Sequence, residues 1–396
     1  SGSTGVPKAM VHDFDNLIST YNIGKTKNLN FLVFLLFDHI GGLNTLLHTL
    51  FNKGTVVAPK SRSVHERPTT TGGGTAMFVG FLVALVVASR LPGFTQVFAG
   101  SSEALAVVVA ATVMFAIGLL DDLRELSAPA KVAGQVLSGS LLAVLGVTLF
   151  YFRVPFGQLV VLSADWATLI TVLLVVVVAN SVNLIDGLDG LAAGTIAIAA
   201  GAFYLYSGAL QNAGVISDAN LGPLLALVTL GVCLGFLPHN FHPARIFMGD
   251  GGALLLGLLM ASATMTVGGR VVDQFSGQVY FFFAPIAIPF LILGVPLVDV
   301  ALAVVRRAYR REGIATADKD HLHHRLLRMG HGHRRTVLLL WAWTGLLSGV
   351  ALVPTLTGSG DAVLPFALAG VTVLLFFLLR PSTRFASDSE AKISNA

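Results

Sequence analysis

Charge is what this sequence has least of. Only 12% of its 396 residues are Asp, Glu, Lys or Arg, against about 25% in a soluble globular protein. So few charges cannot clothe a water-soluble fold of this size, and a bilayer is the natural solvent for most of the chain. Cysteine is nearly absent. Cys233 stands alone in an apolar run, which excludes an intrachain disulfide and reads as packing. The excess of 25 Lys and Arg over 21 Asp and Glu, a formal +4, is too small to point to nucleic acid. An initiator Met and a signal peptide are missing, and the chain opens at Ser1 in mid-motif, as a fragment would.

What is abundant is apolar sequence, 54% of residues, with a mean hydropathy of +0.78. It is unevenly spread. Residues 1 to about 60 are polar and turn-rich, and their one apolar run, Phe31–Phe37, is too short to cross a membrane. From Gly72 onward long apolar runs follow one another with short breaks. Ten candidate spans lie near 73–91, 103–120, 132–152, 166–183, 191–208, 221–238, 251–268, 280–304, 336–355 and 362–379. Alternate loops differ sharply in charge. One set holds eighteen of the 25 Lys and Arg residues, and the other holds only Arg90, Arg153 and Arg270. The positive-inside rule makes the richer set cytoplasmic.

The same loops hold the unusual chemistry. Asp121 and Asp122 close the second span. Asn180, Asn183, Asp186 and Asp189 lie between the fourth and fifth, and His239, Asn240, Phe247 and Asp250 between the sixth and seventh. Asp299 and then His321, His323 and His324 follow the eighth. Acids at membrane helix ends are costly to desolvate and are functional by default. A ring of carboxylates suits a hard cation such as Mg²⁺. Gly187, Gly190, Gly249, Gly251 and Gly252 would let backbone approach a ligand, and N–H groups at the following helix N-termini suit phosphate. Each feature has a plainer explanation: a solvated helix end for Asp121-Asp122, a loop for the histidines, a turn for Asp-Gly, an orientation signal for Lys131 and for Arg306, Arg307, Arg310 and Arg311. Four acid-bearing loops on one side are more than topology requires. A transporter would carry its acids near mid-span instead.

Over roughly residues 62–380 the sequence resembles the polyprenyl-phosphate N-acetylhexosamine-1-phosphate transferases, glycosyltransferase family 4. The resemblance rests on Arg67-Pro68-Thr69 before Gly72-Gly73-Gly74, Gly118-Leu-Leu-Asp121-Asp122 with Lys131 and Gln135, and Asn180-x-x-Asn183-x-x-Asp186-Gly-x-Asp189-Gly. It continues with Asn240, Pro243-Ala-Arg-Ile-Phe247-Met-Gly249-Asp250, Pro296 with Asp299, and His321-x-His323-His324. It implies an all-α polytopic membrane bundle of about ten helices with cytoplasmic active-site loops. It also implies transfer of a sugar phosphate from a UDP-sugar to a polyprenyl phosphate, releasing UMP, at a bacterial plasma membrane. The family pattern makes Asp121, Asp122, Asp250, His321, His323 and His324 catalytic. Lys131, Asn180, Asn183, Asp186, Asp189, Asn240 and Phe247 become substrate-binding, and Asp250, Asp122 and Asp186 become ligands for Mg²⁺, with Mn²⁺ as the alternative. Direct attack and an aspartyl intermediate both fit these residues. The histidine loop matches the branch that uses UDP-N-acetylglucosamine, with the muramoyl-pentapeptide transferases as runner-up. The implied partners are that nucleotide sugar, undecaprenyl or decaprenyl phosphate, the bilayer and a homodimer mate.

Two departures stand out. Ala253 replaces the family's Ser, and the family's helix before Arg67 is absent. In its place Ser1-Gly-Ser-Thr-Gly-Val-Pro-Lys8 resembles the phosphate loop of adenylate-forming enzymes. Residues 1–61 are therefore expected to be a truncated α/β-type fragment without adenylation activity, 62–380 the membrane domain, and 381–396 a disordered cytoplasmic tail.

Overall fold

The structure is a computed structural model. It describes residues 71–99, 102–153, 159–268, 293–299, 301, 326–327, 329–357, 368 and 370–372, together with the pairs 31–32 and 56–57. Two compact units divide the chain, Ser1–Thr69 and Thr70–Ala396. In the first, strand β1 (Phe31–Leu32) pairs in parallel with β2 (Val56–Val57).

The second unit is a helical bundle. Its long helices are α1 (Gly73–Arg90), α2 (Glu103–Arg124), α3 (Ala128–Val144), α4 (Ala164–Ile185), α5 (Leu191–Asn212), α6 (Gly222–Asn240), α7 (Gly249–Gly268) and α8 (His333–Thr357). Among the described residues seven of these, all but α3, are long and apolar enough to cross a membrane. This is a multi-pass membrane protein. The span expected over 132–152 is corrected. Helix α3 ends at Val144, Gly146 takes φ +103°, and the chain continues as β3 (Tyr151–Arg153), antiparallel to β4 (Leu159–Val161). A glycine in that region of φ breaks a helix without steric penalty. The spans expected at 280–304 and 362–379 fall largely outside the described residues, which include a helical stretch at 294–299.

Local sequence explains the helix ends. Proline stands within the first two positions of α3 and α6, where its missing N–H is not needed. Glu125 ends α2 in the left-handed conformation, φ 47°. Helix α7 is the central element, with 94% of its spanning window buried, and it packs against α1, α2, α4 and α6. A bundle without water gains little from apolarity between helices, so close packing must hold it. Small residues allow that approach. A Cβ on Gly118 of α2 would lie 2.5 Å from Gly251 Cα of α7, and one on Gly74 of α1 would lie 2.5 Å from Gly252 N. The glycines at 251 and 252 therefore seat α7 against its neighbours, which corrects the expectation that they open backbone to a ligand. Cys233 is buried and free, as packing requires.

Candidate active site

The N-terminal ends of α3, α5 and α7 and the C-terminal ends of α2, α4 and α6 carry the polar residues that the sequence singles out. Three helix ends meet at Lys131. From the first turn of α3 its Nζ donates to Asp121 Oδ2 of α2 at 3.0 Å and to Asp250 Oδ2 of α7. Asn183, near the end of α4, completes the group. With its amide oriented to suit its neighbours, its nitrogen donates to Asp250 Oδ1 at 3.0 Å and its oxygen accepts from Lys131 Nζ at 2.9 Å. The Lys131 and Asp121 side chains are only 16% and 12% exposed. Such a pair, unlike a surface ion pair, leaves a costly unbalanced charge when one partner is removed. The remaining oxygen of Asp121 accepts from Leu126 N at 2.6 Å, so the turn after α2 is folded over its own last acid.

Asp122 has a different task. Its two carboxylate oxygens accept from the backbone N–H groups of Asp250 and Gly251, at 3.0 and 3.1 Å. An acid at the C-terminal end of α2 thus caps the N-terminus of α7, where a helix dipole favours negative charge. Gly249, at φ +68°, has Asp122 against the face where a side chain would stand. The N–H groups of Gly73 and Gly74 on α1 donate to the carbonyls of Phe247 and Met248 at 3.0 and 2.9 Å. Gly190 N, before α5, donates to Asn240 Oδ1 at 2.9 Å. Helix N-termini expected to hold phosphate are here capped by the protein itself.

The other expected residues fall around this centre. Asn180, one turn before Asn183, pairs with Gln135 of α3: its Nδ2 donates to Gln135 Oε1 at 2.6 Å. Asn240 is buried, and it also donates to Ile246 O at 3.0 Å, which ties the loop before α7 to the loop before α5. Asp186 is partly buried in the turn after α4. Burial, with the charges of Asp250, Asp122 and Asp189 around it, pushes its carboxyl well above the usual carboxylate range. Asp299 is buried, 1% exposed. His321, His323 and His324 lie outside the described residues.

A second cluster was not foreseen. Asp189 Oδ2 lies 2.8 Å from His242 Nδ1 and accepts from Ala244 N at 3.1 Å. Asp189 N donates to His333 Nε2 at 3.0 Å, and the His242 and His333 rings stack at 4.2 Å. Among the described residues this is the one group of three His, Cys, Asp or Glu whose ligand atoms all lie within 4.8 Å of one another. Its geometry is that of a joint. The Nε2 lone pair of His333 already accepts a backbone proton, so a metal there would have to displace it. Sequence signals existed, His242 beside Pro243 and His331-Gly-His333 before a span, but neither shows which loops meet.

The carboxylate centre, by contrast, fits a hard cation. Its donors are oxygens, as a hard cation requires, and burial first, then the neighbouring acids, raise the Asp186 carboxyl beside them. The fold defines a multi-pass membrane protein whose acids and Lys131 gather where its helices end. Comparison with known proteins agrees. A family model described as glycosyl transferase family 4 matches residues 104–268. The chain is 40% identical over 346 residues to the decaprenyl-phosphate N-acetylglucosaminephosphotransferase of Mycobacterium tuberculosis, covering 85% of each chain. It is 36% identical over 300 residues to a probable undecaprenyl-phosphate N-acetylglucosaminyl 1-phosphate transferase of Bacillus subtilis, covering 76% of this chain and 77% of that one. It is 34% identical over 338 residues to the phospho-N-acetylmuramoyl-pentapeptide-transferase of Desulforudis audaxviator, covering 80% and 93%. The chain belongs to glycosyl transferase family 4.

Proposed function

We propose that this protein transfers N-acetylglucosamine 1-phosphate from UDP-N-acetylglucosamine to a polyprenyl phosphate at the cytoplasmic face of a bacterial plasma membrane. The observation that carries this reading is the Asp121–Lys131–Asp250–Asn183 centre at the ends of membrane helices, where a lipid phosphate and a soluble nucleotide can meet. An oxygen of the lipid phosphate attacks the β-phosphorus of the UDP-sugar. The bond from that phosphorus to the bridging oxygen breaks, UMP leaves with the electron pair, and a polyprenyl-pyrophosphoryl sugar remains. Such a transfer needs positioning and charge neutralisation more than covalent chemistry.

Lys131 supplies a fixed positive charge, and Asp121 and Asp250 hold it in place. Asp121, facing Lys131, is the member of the acid pair that orients or deprotonates the lipid phosphate, while Asp122 fixes α7 and with it Asp250. Asn180, Asn183, Asp186, Asp189, Asn240 and Phe247 line or brace the nucleotide side. The family's histidine motif assigns His321, His323 and His324 to the sugar phosphate. Asp250, Asp122 and Asp186 would hold Mg²⁺, or Mn²⁺ in its stead, which would neutralise pyrophosphate charge. The parallel pairing of β1 with β2 suits an α/β-type segment.

The test is transfer of label from radioactive UDP-N-acetylglucosamine into lipid extract, with membranes holding the protein, polyprenyl phosphate and Mg²⁺. Label should appear, and EDTA should abolish it. Label only from UDP-N-acetylmuramoyl-pentapeptide would replace the proposed donor, and label from neither would refute the transferase.

A further inference from the structure

One turn away from the charged centre, α3 and α4 meet a second time. Lys131 and Gln135 stand at i and i+4 on α3, and Asn180 and Asn183 at i and i+3 on α4, so each helix carries its two side chains on one face. The helices run antiparallel here, and the side chains form two rungs. In the first, the Asn183 oxygen accepts from Lys131 Nζ at 2.9 Å. The second is a reciprocal amide pair. Asn180 Nδ2 donates to Gln135 Oε1 at 2.6 Å, and Gln135 Nε2 donates to Asn180 Oδ1 at 3.3 Å. Gln135 is fully buried. One turn further along α3, a Cβ on Gly139 would lie 3.1 Å from Val172 Cα of α4, so the two backbones come close.

These bonds leave Asn180 little to offer a ligand. Its Nδ2 also donates to Val176 O at 2.8 Å. A side-chain amide has two N–H donors, and both are spent inside the protein. A pyrophosphate is an acceptor and calls for donors, so Asn180 cannot serve it while the pair stands. What the pair controls is the helix that carries Lys131. Helix α3 packs against α2 and α4, and both of these pack against α7. The reach of Lys131 to Asp250 therefore depends on how α3 sits on its neighbours. Apolar contact between membrane helices tolerates small rotations and slides. A reciprocal amide pair does not, because its two bonds form in one register, and breaking them leaves buried polar groups unsatisfied.

We propose that Gln135 is a positioning residue for the transfer: through Asn180 it fixes the rotation and register of α3 on α4, and so holds Lys131 between Asn183 and Asp250. The assignment rests on the transferase reading for the reaction, but the placement of Lys131 can be followed without turnover. The full-length protein in nanodiscs is treated with acetic anhydride, and acetylation of Lys131 is timed by mass spectrometry. Gln135→Leu should be acetylated at Lys131 several-fold faster than the wild type, because the amine is released from its ion pairs. The same variant should lose about tenfold in kcat, within what a misplacement of about 1 Å costs, with KM for both substrates at wild-type values. Gln135→Asn combined with Asn180→Gln moves one methylene across the pair and keeps its overall length. This exchange variant should restore both the acetylation rate and kcat, and Gln135→Asn alone should restore neither. Wild-type kcat in the folded fraction of Gln135→Leu, with only the unfolding midpoint lowered, would make the pair packing alone and overturn the assignment. An exchange variant no better than Gln135→Asn overturns it as well. Full kcat with a raised KM for the nucleotide sugar in the exchange variant would put Asn180 on the donor and overturn its role as the link. Failure of the wild type to transfer label from either UDP-sugar refutes the transferase alone, because acetylation still reports on Lys131.

Discussion

The two polar clusters at the active end of the bundle solve different problems. Around Lys131, charges from α2, α3 and α7 face one another, and each exists because the others balance it. Around Asp189, a single carboxylate is surrounded by stacked imidazoles and a backbone N–H. The first suits exchange of ions: a phosphate can replace a carboxylate at Lys131, and a cation can join the acids. The second holds the loop before α5, the loop before α7 and the start of α8 in one place. The contrast teaches that opposed charges from several helices can balance one another at this end of the bundle, while hydrogen bonds shared between loops and ring contact keep that end aligned.

The sharpest way to break the comparison is to neutralise the charged centre. Asp250→Asn keeps the size of the side chain and removes its charge, so Lys131 loses one counter-ion and the cation site loses a ligand. We expect the transfer rate to fall by at least about 10²- to 10³-fold, the range seen when a preorganised electrostatic group is removed. Initial rates with saturating donor and acceptor measure it, and a loss of less than tenfold would remove Asp250 from the centre. Lys131→Met should follow closely. It leaves Asp121 and Asp250 near one another without the cation between them, and breaking a buried pair from one side costs about 3–5 kcal/mol. Both the rate and the thermal unfolding midpoint should drop. Asp121→Asn added to Lys131→Met should recover part of the lost stability without recovering the rate. A midpoint that does not move in the single variant would show that the pair is solvated.

A test on packing sits next in size. Gly118→Val would drive a side chain into Gly251 and the carbonyl of Asp250, 2.6 Å from where its Cβ would stand. It disturbs the centre through α7 without touching a charge. We expect destabilisation of about 1–3 kcal/mol, the usual range for overpacking, seen as a lowered unfolding midpoint in detergent. Gly231→Ala, in open space by comparison, should leave that midpoint unchanged within error.

The bundle and its charged centre were legible in the chain because both rest on local costs. A run of about 20 apolar residues needs a bilayer, and an acid at the end of such a run needs a reason, so Asp121, Asp186 and Asp250 announce themselves singly. Partnership does not announce itself. Asp122 and Asp250 are adjacent in character, yet Asp122 caps a helix 128 residues away, and only the crossing of α2 with α7 makes that so. Gly251 looks like a ligand-facing position until the backbones of α2 and α7 are seen to touch at Gly118. The early end of α3 escaped because residues 145–152 are as apolar as the helix before them, and Gly146 alone carries the break. His242 and His333 escaped for a related reason. A histidine near a helix end is common, and stacking across three loops has no period in sequence.

That stacked pair gives the smallest effect. His333 accepts the N–H of Asp189 and lies against His242, so it acts as a positioning residue. His333→Ala removes an acceptor from a buried backbone donor, which costs about 1–3 kcal/mol, and frees the start of α8 from the loop before α5. His333→Gln can return an acceptor to Asp189 N but cannot stack. If alignment of the loop is what His333 supplies, the alanine variant should show a several-fold rise in KM for the nucleotide sugar with a smaller change in kcat, and glutamine should restore part of it. If the residue serves stability alone, both variants should lower the unfolding midpoint while the kinetics of the folded fraction match the wild type. A fall in kcat as deep as that of Asp250→Asn would instead put His333 in the charged centre and erase the distinction between the two clusters.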